Sequence, residues 1–380
     1  MKILIAIGVQ RQAEAGAASV VLNHARELER KGHTVDCWFL DDVLPESTGP
    51  KRFEGLVFAF AIIKRISRER ERYDVVNLHA PWGCVYGVRR RLGRVASAPP
   101  YVLTMQGSEE RFVTMMRRED RKGLASNFGW KNRLWHRVYH QMMYDISIRT
   151  ADYGAVANRE AWICAELKHG REPGRIRFVP NGVEEQFFGA RDYTDKSGLK
   201  LLYVGTWLDR KGVHYLAEAF RIVAGESSKT LLTVAGCGQA EELVKASFAP
   251  DVRDRVRVLP FVGRGDMPFI YAEHDIFVFP SLVEGMPLTL LEAMASAMPV
   301  VTTNTSGMAD VVEDGYNGLL ATPADSASLA RSVSRLLAAS SLRRELGQEA
   351  QRTARRYTWQ RVTSRLEEIL MLAVSEARRK

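Results

Sequence analysis

Cysteine is scarce and unpatterned. Cys37, Cys84, Cys164 and Cys237 are the only four in 380 residues, and none stands in C-x-x-C spacing. Neither a zinc ribbon nor a disulfide framework is indicated, which fits a reducing compartment. Long apolar runs are also missing. The longest, Leu56 to Ile63, has eight residues, far short of the roughly 20 needed to cross a bilayer. The opening MKILIAIGVQ has one charge and a short apolar stretch, without the longer core and cleavage site of a secretion signal, so it is expected to be a first strand of a cytoplasmic protein. No low-complexity tract occurs. No G-x-x-x-x-G-K-[ST], H-E-x-x-H or Asp-x-Asp is present, so the usual sequence marks of a P-loop, a zincin and a carboxylate-held cation are absent.

What is present is charge, unevenly spread. Residues 1–190 hold 30 Lys and Arg against 22 Asp and Glu, leaving 24 against 23 for the rest, within a total of +9. Residues 51–149 carry 20 basic and 9 acidic side chains among aromatics and methionines. Such a surface favours anionic partners such as membrane phospholipid, nucleic acid or a phosphorylated acceptor. The alternative is a solvated helix face that aids solubility.

A chain of this length suggests two cores. Short runs rich in Val, Ile and Leu recur between longer amphipathic segments, the pattern of parallel strands alternating with crossover helices. The first half has KILIAIGV, TVDCWFL, DVVNLH, YVLTMQ, YGAVAN and RIRFVP; the second has LKLLYVG, TLLTVAG, RVRVLPF, DIFVFPS, PVVTTN and GLLATP. The expected fold is α/β, two facing doubly wound Rossmann-like domains with a cleft between them. Expected boundaries are 1–187, a linker at 188–195 and 196–356, with a final helix in 357–380 packing back on the first domain. Ligands of open parallel sheets bind at the carboxyl ends of the strands, so the chemistry should lie on the strand-to-helix turns.

The richest turn is in DIFVFPSLVEGMPLTLLEAMASAMPVV, residues 275–301. A strand ends at Pro280, and Pro287 suits the start of a helix running to Ala297. Amides of Gly285, Met286 and Leu288 at that helix start suit phosphate or sugar oxygens. Glu284 just before the helix and Glu292 within it suit paired hydroxyls, each desolvated charge-assisted bond being worth about 1.5–3 kcal/mol. Read alone, the pair is more simply a helix cap and an exposed helix residue.

EGMPLTLLE also resembles the signature of two glutamates seven residues apart in the retaining glycosyltransferases of family four, which have the GT-B fold. The resemblance spans nearly the whole chain: DVVNLHAP, ADYGAVANREA, FVPNGVEEQF and YVGTWLDRKGVHYLAEAF are each similar to a family segment. It implies that Glu284 meets the donor sugar and Glu292 the ribose diol of a nucleoside-diphosphate sugar. Lys211 would neutralise the diphosphate as it leaves, where negative charge grows. Gly16 and Ala17, in the turn after the first strand, correspond to a position where the family usually has two glycines. Thr206 replaces the family's Arg, so the diphosphate should lean on Lys211 and Arg210. Gln106 replaces the family's His, and it can bond a sugar but cannot carry a proton. A front-face mechanism that uses the leaving phosphate as base does not need that His.

The resemblance implies no cofactor beyond the sugar nucleotide and no metal. The expected partners are a nucleotide sugar, a glycan or lipid-linked acceptor and the anionic inner face of the cell membrane, with no nucleic acid. A catalytically silent sugar-nucleotide binder and an epimerase or phosphorylase of the same fold are the rival readings. GCGQAE mimics part of a dinucleotide fingerprint but lacks its third glycine. His136 and His140 stand at metal-ligand spacing on an expected helix, with no third ligand evident.

Overall fold

The computed structural model describes residues 1–11, 16–44, 54–69, 72–93, 98–125, 129–193 and 199–379. The chain forms two compact units. One comprises Met1–Val113, Trp130–Gly182 and Trp359–Lys380, the other Thr114–Gly129 and Val183–Thr358.

The first unit holds a six-stranded, all-parallel sheet: β1 Lys2–Ala6, β2 Thr34–Trp38, β3 Val75–His79, β4 Tyr101–Met105, β5 Tyr153–Val156 and β6 Ile176–Phe178, in the order β2-β1-β3-β4-β5-β6. All residues of β3 and β4 are buried, as expected where helices cover both faces of a sheet. One face packs Leu4, Phe58, Ile62, Leu78, Leu103 and Val156. The other packs Ile3, Ile5, Val21 and Val102 against Leu366, Ile369, Leu370 and Ala373 of the C-terminal helix Trp359–Ala377. That helix is fixed further by Glu367, which pairs with Lys31 and His33 at 2.7 Å each. His24 meets Thr363 Oγ1 at 2.9 Å and stands edge-on to Trp359.

The second unit repeats the plan with β7 Lys200–Val204, β8 Leu231–Ala235, β9 Val256–Leu259, β10 Ile276–Phe279, β11 Val300–Thr303 and β12 Leu319–Ala321, also all parallel, in the order β12-β11-β10-β7-β8-β9. The chain winds outward from β7 in one direction and from β10 in the other. Adjacent β7 and β10 therefore flank the switch point, where the loops beyond the carboxyl ends diverge and leave a ligand crevice. Each of the twelve apolar runs read from the sequence contains one of these strands.

One helix differs from expectation at both ends. It spans Leu288–Ala295, with Pro287 as the residue before it in extended conformation (ψ 123°). At the far end Met298 N donates to Ala293 O and Ala297 N to Met294 O, both 3.0 Å, with Ala297 at φ 53°. This is a Schellman closure with alanine in the position glycine usually takes, so no glycine marked the end.

Candidate functional site

At the switch point of the second unit the loops after β7 and β10 are bonded directly to each other. Leu282 N donates to Arg210 O (2.9 Å), and Ser281 Oγ reaches the same carbonyl at 3.2 Å. Gly212 makes this approach possible. It sits at φ 70°, and a Cβ there would lie 2.0 Å from Pro280 O, so a side chain is barred by both conformation and space. Thr303 Oγ1 donates to Ser281 O from β11. Gly307 lies so close to the Gly285 carbonyl that a Cβ would stand 1.6 Å from it.

This frame holds a compact ionic cluster. Glu284 Oε1 accepts from Lys211 Nζ at 2.7 Å, Arg210 Nη1 at 2.9 Å and Ser281 Oγ at 2.8 Å. The Lys211 and Glu284 side chains are 12% and 11% exposed and that of Arg210 35%. Burial would raise the Glu284 carboxyl, but the charges of Lys211 and Arg210 and the bonds from Lys211 and Ser281 outweigh it and hold it below the usual carboxylate range. Lys211 Nζ also stands 5.0 Å from the centre of the Phe279 ring. Two cations thus surround one carboxylate at the strand ends, an arrangement suited to an anion bearing hydroxyls. Thr206 is exposed on the same β7 turn, its carbonyl accepting from Tyr203 OH at 3.0 Å.

Glu292 is not the exposed helix residue that its position alone allows. It is buried, with Oε1 accepting from Arg264 Nη1 at 2.8 Å and Oε2 from Tyr271 OH at 2.9 Å. Arg264 Nη2 also donates to Glu184 Oε1 at 2.8 Å. Burial raises the Glu292 carboxyl above its ordinary value, against the opposing pull of Arg264 and Tyr271. The sequence reading missed Arg264, Tyr271, Ser281 and Glu184. Arg264 and Ser281 follow β9 and β10, so the rule that ligands bind at the carboxyl ends of parallel strands could have flagged them. Tyr271, on the helix Met267–Glu273, carried no such mark.

The structure brings Lys211, Arg210, Thr206, Glu284, Gly285, Met286, Pro287, Leu288 and Glu292 into the second unit, on the turns after β7 and β10 and the helix that follows. Gly16, Ala17 and Gln106 belong to the first unit. Gly16 and Ala17 open the helix Gly16–Arg30 after β1, whereas Gln106 follows β4, with β3 between those strands. Gln12–Ala15 of the same turn lie outside the described residues.

His136 and His140 do have a third potential ligand, Glu109, with one ligand atom from each residue lying within 4.8 Å of the others. Glu109 begins a separate helix 27 residues upstream, and local spacing could not reveal it.

Two family models cover most of the chain: "Glycosyltransferase Family 4" matches residues 15–187 and "Glycosyl transferases group 1" residues 190–353. The fold and these matches define a glycosyltransferase of the GT-B class. The chain belongs to the family-four, group 1 glycosyltransferases. Among curated proteins it is 26% identical to the UDP-Gal:alpha-D-GlcNAc-diphosphoundecaprenol alpha-1,3-galactosyltransferase of Escherichia coli, over 71% of this chain and 66% of that one. The chain spans between about a third and two thirds of the length of the curated relatives it matches first. Among solved structures it is similar to sucrose-phosphate synthase from Thermosynechococcus elongatus, at TM-score 0.78 and 17% identity over 99% of both chains. It is also similar to Anabaena Alr3699/HepE in complex with UDP-glucose, at TM-score 0.68 and 17% identity over 98% of this chain and 99% of that one.

Proposed function

We propose that this chain transfers a hexose-type sugar from a nucleoside-diphosphate sugar to a membrane-proximal glycan or lipid-linked acceptor, with retention at the anomeric carbon, in envelope polysaccharide or glycolipid synthesis on the cytoplasmic side. The observation that carries this reading is the half-buried cluster of Lys211, Arg210 and Glu284 at the switch point. In this reading Glu284 accepts hydrogen bonds from the sugar hydroxyls, and Lys211 and Arg210 take the diphosphate. As the bond between the anomeric carbon and the phosphate oxygen breaks, charge develops on the diphosphate, and a prearranged ammonium lowers the barrier without moving. The incoming hydroxyl attacks from the face the diphosphate leaves, and the departing phosphate oxygen takes its proton. Glu292 takes the ribose diol through the lone pairs that Arg264 and Tyr271 leave available. Lys211 and Arg210 take the part a divalent ion plays in enzymes that hold one with Asp-x-Asp.

The relative whose name includes a diphosphoundecaprenol-linked acceptor supports a lipid-linked acceptor here. A membrane-facing surface finds support in the helix Glu54–Arg68, where Val57 and Phe60 are 47% and 54% exposed and Lys64 and Arg68 are exposed as well. Val57, Phe60 and Lys64 are three and four residues apart and share a helix face. Among the described residues no helix is long and apolar enough to cross a membrane. Lys51, Arg52, Arg70, Glu71 and Arg94 of the basic region lie outside the described residues.

The test is incubation with a panel of nucleotide sugars and acceptors, with the product's anomeric configuration read by NMR. Release of nucleoside diphosphate and a product that keeps the donor's configuration are expected. An inverted product, an interconverted donor, or binding without any turnover overturns the reading.

A further inference from the structure

We propose that Glu109, His136 and His140 form a binding site for a zinc-like divalent transition metal in the first unit. Their ligand atoms lie within 4.8 Å of one another, with Glu109 Oε1 accepting from His136 Nδ1 at 2.7 Å. A tetrahedral ion about 2.0–2.1 Å from nitrogen and oxygen ligands sets those ligands roughly 3.3–3.5 Å apart. The 2.7 Å pair lies inside that value and no separation exceeds 4.8 Å, so side-chain rotations of about an ångström admit the ion.

The backbone favours the same grouping. From His136 to His140 the helix widens by one residue, and Gln141 N donates to the His136 carbonyl five positions back. Such widened turns are rare and collect at functional sites. Here the turn stacks the two imidazoles with centroids 5.1 Å apart and planes 29° apart. Phe112 lies against His136 and Tyr139 stands edge-on to His140. All three potential ligands are half-buried.

The donor set selects the metal. Two imidazoles and one carboxylate suit zinc, cobalt or nickel better than magnesium or calcium, which prefer all-oxygen shells. Three protein ligands leave a fourth position for water. The site shares no residue with the cluster of Lys211, Arg210 and Glu284, so it is assigned no part in stabilising the leaving diphosphate. A metal bound there stabilises the folded first unit by mass action.

The full chain, stripped with chelator and dialysed, is titrated with zinc by calorimetry and with cobalt by visible absorption, alongside His140→Ala and Glu109→Gln. The expected result is one zinc per chain at micromolar concentration or below, a four-coordinate cobalt spectrum, and a Tm that rises with zinc. His140→Ala should weaken binding by about 100-fold or more and remove the rise in Tm. Glu109→Gln, which keeps size and shape, should weaken binding too, and it decides the matter if His140→Ala does not fold. Absence of zinc binding at about 100 μM, far above the range of protein-held zinc, overturns the proposal. So does binding that both substitutions leave unchanged, because the metal then sits elsewhere, and Glu109 and His136 form only an ion pair.

Discussion

At the strand ends of the second unit acidic and basic side chains are paired: Lys211 and Arg210 with Glu284, and Arg264 with Glu292. In the interior of the first unit the polar side chains are mostly amide, hydroxyl and imidazole groups, with Glu27 paired to Arg30 on the helix after β1. His24 and His79 are buried, and Asn77 Nδ2 bonds to Thr104 Oγ1 at 2.8 Å. Yet residues 1–190 carry nearly all of the excess positive charge. Net charge therefore does not point to the ion cluster. An exposed basic surface acts over a Debye length of about 8–10 Å and is screened by salt, whereas a desolvated ion cluster in a fixed frame can orient and polarise a ligand.

The contrast can be broken most severely by Gly212→Ala. Its Cβ meets Pro280 O at 2.0 Å with φ at 70°, so the two loops must separate. We expect a loss of about 3 kcal/mol or more in stability, together with loss of donor binding, read by chemical denaturation and calorimetry. Gly16→Ala is the matched substitution in the first unit, where an added Cβ meets nothing within 4 Å. Its stability should change by less than about 0.5 kcal/mol. Any fall in activity there would report close approach of a ligand to the backbone.

Acid should act on the first unit through its neutral histidines. Burial pushes His24 down to about 4 and His79 to about 3, the latter with a contribution from His24, whereas both titrate near 6.5 when unfolded. Between those values the unfolded chain binds more protons, so stability is complete above about pH 6.5 and falls as pH drops toward 4. His24 alone should cost on the order of 3 kcal/mol by pH 4. Denaturant midpoints measured across this range should show the fall, and His24→Gln should flatten it.

Lys211→Ala should lower kcat/KM by about 10²- to 10³-fold, the usual loss for removal of one prearranged group at developing charge. Lys211→Arg should restore part of it. A loss smaller than about threefold in kcat/KM would remove Lys211 from the leaving-group role. Excess EDTA should leave most of the transfer rate intact, because the diphosphate role is assigned to Lys211 and Arg210. Loss of activity restored by magnesium or manganese would reverse that assignment.

The twelve strands were legible because buried parallel strands read as dense Val, Ile and Leu runs between amphipathic segments. Lys211 and Glu284 were legible as candidates because each follows such a run within a segment that resembles the family's. The partners of Glu292 were not, since Arg264 is 28 residues away and Tyr271 21 residues away in sequence, and only the fold joins them. The same limit hid Glu109 from the two histidines. The end of the helix Leu288–Ala295 was overrun because its left-handed closing residue is alanine, without the usual glycine.

The central claim is that Glu284 and Glu292 contact different parts of one donor, and calorimetry with nucleoside diphosphate and with the full nucleotide sugar tests it most directly. Glu292→Gln should weaken both ligands, because both carry the ribose diol. Glu284→Gln should spare nucleoside diphosphate and weaken the sugar-bearing donor by about 1.5–3 kcal/mol, as expected for a desolvated charge-assisted bond. Equal losses of nucleoside diphosphate affinity in the two variants would contradict the account.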